Sequence, residues 1–396
     1  MGKNNAEFSI PLQYDNVIID EILSFNNSLP ENRKITSVYG ALMKSSKDAL
    51  GWENYRDRTV ISGGRVLSLN SISDMMGAIN KFNKEGIVFQ YCLNSTRTLT
   101  AEMLYEYRPR IFNLCDSLLY HGIEHLKISN LLLFDFIFEY YGDKFKYYLS
   151  TTKEYSSIEQ FRKLLRKYPV IKEVCIPSDL NKNIRFLNNF QKLFPDVNIE
   201  IMLNEGCMYA CPWRTEHTPH SSGTNTSQIT RLVEEGKCNI PLEMVYYYGN
   251  RCFECRKVNA LEEYFKRRSI MPFDMLYYID EICISKYKFA GRDVSQEYLI
   301  QSIERYIEGI DDYAKIATMP WNYFNNYSDN VIEYINSPDI ATMKKYFPPL
   351  TQFAEFGYLC NTDCGTRCTV CSDLADIAIR DLNLQEDGSY NVDKKE

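Results

Sequence analysis

The chain has 396 residues, room for two or three ordinary domains or for one α/β barrel of about 250 residues with additions. Hydrophobic residues make up 45% of it, ample for a core, while Lys+Arg 45 against Asp+Glu 52 gives a net charge of −7. That balance argues against a generally basic nucleic-acid binder, so DNA is not an expected partner.

The longest apolar run, Leu131 to Phe138, is broken by Asp135 and is too short to span a bilayer. Met1 to Glu7 carries no apolar signal region, and Ala6 stands where myristoylation wants Ser or Thr. A soluble, cytoplasmic protein without a membrane partner is expected. The 30 tyrosines fit an AT-rich coding bias, but the 13 cysteines are informative. An odd number without a signal peptide fits a reducing compartment, where clustered Cys bind metal or do chemistry.

In chain order, Ile18, Ile22 and Phe25 share a helical face ahead of a strand at Ile35 to Tyr39. Ser71 to Lys84 places Ile72, Met75, Met76, Ile79 and Phe82 on one face; Gly86 stops the helix, and residues 87–93 read as a buried strand ending at Asn94. The unit then repeats. Ile111, Leu114, Cys115, Leu118 and Leu119 share a face, Gly122 ends it, and Ile123 to Ile128 runs into Ser129-Asn130. A third copy is the helix Leu131 to Tyr141, then Gly142, then the strand Phe145 to Leu149 before Ser150-Thr151.

A helix with Ile158, Phe161, Leu164 and Leu165 precedes the strand Glu173 to Ile176. Another with Ile184, Leu187, Phe190 and Leu193 precedes Ile199 to Leu203 and Asn204-Glu205. Cys283 to Phe289 reads as a late strand, followed by Gly291-Arg292 and a helix carrying Val294, Leu299, Ile303 and Ile307. Seven or eight such units imply a parallel sheet that closes: a TIM-like (β/α) barrel, with an open doubly wound sheet as the alternative. No GxGxxG or Walker loop follows the first strand.

The expected division is a barrel over residues 1–310, a connecting segment over 311–350, a Cys-rich extension over 351–384 and a polar tail over 385–396. In a barrel the chemistry sits where strands end, which marks Asn94, Ser129, Asn130, Ser150, Ser178, Asp179, Asn204, Glu205 and Arg292. Singly, each of them reads as a loop cap.

Two cysteine constellations follow. Cys207-x3-Cys211 comes directly after the strand at 199–203, and Cys252-x2-Cys255 after the apolar stretch Met244 to Tyr248. On successive βα loops of a barrel, four thiolates would converge at one mouth, and soft thiolates suit Zn or an Fe–S cluster. A zinc knuckle that only pins the loops is the alternative. The second set is Cys360, Cys364, Cys368 and Cys371. Cys364-x3-Cys368-x2-Cys371 has radical-SAM spacing, but it lies past the barrel rather than after its first strand, which favours a structural Zn or an accessory cluster.

His121 and His125 flank a helix end and a strand start and read as packed or capping residues. His217 and His220 lie beside the first cysteine pair, where Glu216 and His217 suit acid–base work and Arg214 suits a carboxylate or phosphate. Support of the Cys loop is the competing reading of all three. Asp293 with Gln296 resembles a capping box, which would put Arg292 at a helix N-terminus as an anion site or in a salt bridge.

Asn204-Glu205-Gly206-Cys207-x3-Cys211-Pro212-x-Arg214-x2-His217, then Ser221-Ser222, Cys252-x2-Cys255 and Lys288-x2-Gly291-Arg292, resemble the peptidase U32 family of collagenase-like proteases. Val38-Tyr39-Gly40, Gly63-Gly64-Arg65 and Asn94 add to the resemblance, which spans roughly residues 10 to 310. It implies one of two activities. Some members are described as peptidases. Others carry a [4Fe-4S] cluster on four Cys and support oxygen-independent hydroxylation, some as paired subunits.

By position, Cys207, Cys211, Cys252 and Cys255 match the ligands, while Cys spacing and the second Cys set depart from the best-known members. The expected function is Fe–S-dependent modification of a small molecule, RNA or peptide-derived substrate. A peptidase, or a metal-stabilised partner subunit, is the alternative. The sequence holds no HExxH or GxSxG.

Overall fold

A computed structural model describes residues 5–12, 16–41, 72–96, 98–205, 208–217, scattered positions between 233 and 269, then 270–290, 296–311 and 364–383. Eight parallel strands close into a barrel in chain order. They are β1 (Glu7–Pro11), β2 (Ile35–Gly40), β3 (Val88–Leu93), β4 (His125–Ile128), β5 (Lys146–Leu149), β6 (Ile171–Cys175), β7 (Asn198–Met202) and β8 (Lys286–Lys288). The helices between them are α1 (Asn16–Ser28), α2 (Ile72–Lys84), α3 (Ala101–Tyr120), α4 (Leu131–Tyr141), α5 (Ile158–Lys167), α6 (Ile184–Leu193) and α7 (Met275–Asp280). After β8 come α8 (Gln296–Asp311) and, much later, α9 (Val370–Leu382).

The expected TIM-like barrel is therefore the fold, with three corrections. Seven strands lie where the sequence places them, but the eighth, β1, is a strand that the pattern misses. The late strand is three residues long rather than seven, because Cys283 sits in the left-handed region at φ 58 and breaks extension before it. Met244 to Tyr248, expected as the run-in to a separate loop, is helical at Leu242–Val245. Among the described residues no strand lies between β7 and β8, so both mouth cysteine pairs belong to the one long β7–β8 connection rather than to successive loops.

Local chemistry fixes the units. The Asn130 side chain accepts from the Leu133 N–H at 3.1 Å and starts α4, Asn183 does the same for Phe186 at 3.0 Å in α6, and Ser157 with Gln160 closes a capping box on α5. Gly86 and Gly122, at φ 74 and 71, reverse the chain after α2 and α3 in a region that an L side chain resists.

The outward strand faces are apolar and pack on the helices. Phe134 meets Tyr147 and Tyr168 with ring centroids 4.9 and 4.6 Å apart, and Phe161, Phe186, Phe190 and Phe194 form a chain of ring contacts along α5 and α6. Each such buried ring contributes roughly 1.5–3 kcal/mol. β1 meets β2 with a shifted register, Phe8 opposite Ile35 and Ser9 opposite Ser37, so Thr36 bulges.

Candidate functional site

Strand alternation turns the other set of residues into the barrel, and that set is polar. The registers Cys92↔Lys127, Lys127↔Tyr148, Tyr148↔Glu173, Cys175↔Glu200, Met202↔Lys288 and Lys288↔Ser9 carry one inward row around the ring. Barrels of this kind are more often filled by branched apolar side chains. Here Lys127, wholly buried, reaches Glu200 at 2.5 Å and Glu173 at 3.7 Å.

Burial alone would push Lys127 down, but Glu200 and Glu173 outweigh it and hold its ammonium form. Burial likewise opposes ionisation of Glu200, yet Lys127 and Lys288 keep its carboxyl low, at about 2. Glu173 goes the other way, raised by burial and by the Glu200 charge. Burial and then Glu200 also push the Cys175 thiol well above its usual range, so it is no ready nucleophile.

Lys288 is buried as well, with its Nζ 3.7 Å from the Tyr39 ring centroid. Burial and the neighbouring Lys127 lower its pKa, against a pull upward from Glu200. Tyr39 is fixed by donating its hydroxyl to the Phe289 carbonyl at 2.7 Å.

The mouth above this interior is formed by the strand ends. Most of the polar residues expected there are caps and staples. Ser129 donates to the Ser95 carbonyl, Ser150 and Asn130 cap helical turns, and Asn204 and Ala290 bond reciprocally at 3.0 and 2.6 Å, tying the end of β7 to that of β8. Asp179 accepts from the Ala210 N–H at 3.3 Å and so holds the Cys loop down. Asn94 Oδ1 and Ser178 Oγ are buried with no hydrogen-bond partner among the described residues.

Arg214 is engaged by two carboxylates, Glu205 at 3.7 Å and, more closely, Glu154, whose left-handed backbone (φ 53) follows β5. Cys211 is half-buried three residues earlier, and the Arg214 N–H donates to its carbonyl at 3.2 Å. Glu216 is exposed, and the His217 ring stacks on Tyr248 at 5.6 Å and 20°. The structure thus brings Glu205, Cys211, Arg214 and His217 to one side of the mouth and adds Glu154.

Cys255 is exposed in the same connection, while Cys207, Cys252, His220 and Arg292 lie outside the described residues. In the extension, Cys364 and Cys368 face each other across a turn through Gly365, and Cys371 is buried at the start of α9. Cys360 lies outside the described residues, as does Gly63-Gly64-Arg65. Among the described residues no group of three or more His, Cys, Asp or Glu is placed to hold a metal ion, and no helix is long and apolar enough to cross a membrane. His121 is a helix cap packed on Tyr120, and His125 hydrogen-bonds Tyr148 Oη at 2.6 Å inside the barrel.

Sequence reasoning missed Lys127, Glu173, Glu200 and Glu154. For Lys127 and Glu200 a signal existed, a single charge between apolar neighbours in a short strand, as in Leu126-Lys127-Ile128 and Ile199-Glu200-Ile201, whereas Glu173 directly follows Lys172 and lacks it. Glu154 had none, since only the fold brings it to Arg214.

Fold and mouth define a (β/α)8 barrel protein with a thiol-bearing connection after its seventh strand. No family model matches the chain. It is 23% identical over 209 residues to a Methanocaldococcus jannaschii protein named uncharacterized protease MJ1657, covering 52% of this chain and 53% of that one. The chain thus spans about half the length of the curated relative it matches. Among solved structures it is similar to that of the U32 peptidase Mk0906, at 10% identity, 73% of this chain, 94% of that chain and a TM-score of 0.43. It is also similar to N-acetylneuraminate lyase from Fusobacterium nucleatum, at 13% identity, 79% and 99% coverage and a TM-score of 0.30.

Proposed function

We propose that the chain is a U32-like barrel enzyme that modifies, rather than hydrolyses, a small molecule, RNA or peptide-derived substrate by way of an Fe–S cluster, with oxygen-independent hydroxylation as the favoured reaction. The observation that supports this is the setting of Cys211: a half-buried thiol at the barrel mouth, its loop held by Asp179 and its neighbour Arg214 by Glu154 and Glu205.

The donor chemistry fits such a group. Cys207, Cys211, Cys252 and Cys255 offer four soft thiolates from one connection, and they would be its ligands. When bound, a cluster held by all four thiolates would supply one-electron redox chemistry beside the substrate. The chain's own residues do the rest. Arg214 is a positioning residue, because its charge is already matched by two carboxylates. Arg292 would hold the substrate's anionic end, Glu205 and Glu216 would line its approach, and His217, braced by Tyr248, would exchange a proton at its ring nitrogens. Cys360, Cys364, Cys368 and Cys371 would hold a second cluster or Zn that anchors α9.

The peptidase reading draws on the name of the M. jannaschii relative. Against it, the sequence offers no HExxH or GxSxG, and the thiols beside His217 are the proposed ligands. Anaerobic purification with iron, sulfide and zinc analysis tests the proposal. The expected result is a brown protein with about four irons per cluster that loses them on Cys207→Ala or Cys252→Ala. Zinc alone at these sites would overturn it, and hydrolysis of gelatin by the metal-free protein would establish the peptidase reading instead. A cluster-loaded protein that acts only with a second chain would make it a partner subunit.

A further inference from the structure

The barrel interior holds two lysines in unlike situations. Lys127 on β4 is matched by Glu200 and Glu173. Lys288, on β8 across the ring, is 4% exposed, and among the described residues no carboxylate lies within ion-pair distance of it. It is the last residue of its strand, at the end from which such barrels take their substrates. Ser9 is its cross-strand partner, and Tyr39, whose ring it covers, is that of Gln90. On this wall Ser9 Oγ and Gln90 Oε1 are buried without a hydrogen-bond partner among the described residues, and so is Glu173 Oε1 opposite.

We propose that Lys288 is a nucleophilic amine that condenses reversibly with a small carbonyl compound entering the lumen from the mouth. The charged and titratable groups facing it are Lys127 from β4, Glu200 from β7, Glu173 and Cys175 from β6, Cys92 from β3 and Tyr39 from β2. Burial and Lys127 favour its neutral form, in which the nitrogen lone pair is available.

In the step, the amine nitrogen attacks the carbonyl carbon and a nitrogen proton passes to the oxygen, giving a carbinolamine. Ser9 Oγ–H donates to the new hydroxyl, and Gln90 Oε1 accepts from it. The acid form of Glu173, favoured by burial and by the neighbouring Glu200 charge, gives its proton to the hydroxyl, which leaves as water. The product is an iminium opposite a carboxylate, hydrolysis reverses each transfer, and no oxidant or reductant is consumed.

This site stands independently of the cluster proposed above. The test uses the full chain, purified anaerobically, treated at pH 7 with glyoxylate or, in a parallel arm, with glycolaldehyde, then with sodium borohydride and mapped by mass. Exposed lysines such as Lys163 and Lys172 lack this buried setting, so adduct on Lys288 should exceed theirs by roughly tenfold or more. Lys288→Met abolishes that adduct and Lys172→Met does not. Labelling by glyoxylate alone identifies an α-keto acid site, and labelling by both an aldehyde site. Adducts spread over exposed lysines with Lys288 unmodified in the unaltered chain overturn the proposal, and that reading does not depend on the folding of any variant.

Discussion

The interior and the mouth each set one cation between two carboxylates. Lys127 with Glu200 and Glu173 has side chains 0%, 2% and 7% exposed, whereas Arg214 with Glu205 and Glu154 has 13%, 12% and 33%. The chemistry is the same and the surroundings differ. In the interior a lost partner leaves a charge with no water to receive it, while at the mouth water takes over. Burial, not the count of ion pairs, sets what each cluster contributes.

The sharpest way to break that comparison is to remove each cation in turn. Lys127→Met should lower unfolding free energy by about 3–5 kcal/mol in a urea titration, because Glu200 and Glu173 are left facing each other. Adding Glu200→Met should recover part of that loss, which a double-mutant cycle reads directly. Next in size, Asn204→Ala removes the reciprocal bonds to Ala290 and should cost about 1–2 kcal/mol. Arg214→Met comes third, at about 1 kcal/mol or less. If Arg214→Met costs as much as Lys127→Met, the contrast between the regions is wrong.

The smallest effect is one of pH. His125 is pushed down to about 4 by burial and then by Lys146. Its folded pKa lies below the unfolded value of about 6.5, so its contribution is complete above that pH and lost as pH falls towards about 4. His125→Phe should flatten the fall in melting temperature across that window. The Glu200 contribution should persist and drain away only between about 4.3 and 2, since its folded pKa is likewise the lower one.

The sequence made the outer shell legible because helix faces and buried strands repeat with punctuation: Gly86, Gly122 and Gly142 each close a helix just ahead of a strand. β1 escaped because Glu-Phe-Ser-Ile-Pro is short and ends in Pro, so no clear period marks it. The interior was hidden for a different reason. Lys127, Glu173, Glu200 and Lys288 are spread over four strands, and only closure of the ring makes them neighbours. At the mouth, Glu205, Arg214 and His217 were legible because they lie close together in sequence, whereas Glu154 is sixty positions from Arg214.

The strand that the pattern missed is also the one that completes the ring. Glu7 is bonded to Lys286, 279 positions later in the chain. During synthesis the first strand therefore leaves the ribosome with one edge unmatched and waits for nearly three-quarters of the polypeptide before its second neighbour exists. Such a nascent edge is a template for wrong pairing between chains, so yield in the cell should hinge on chaperones and on translation speed before residue 290.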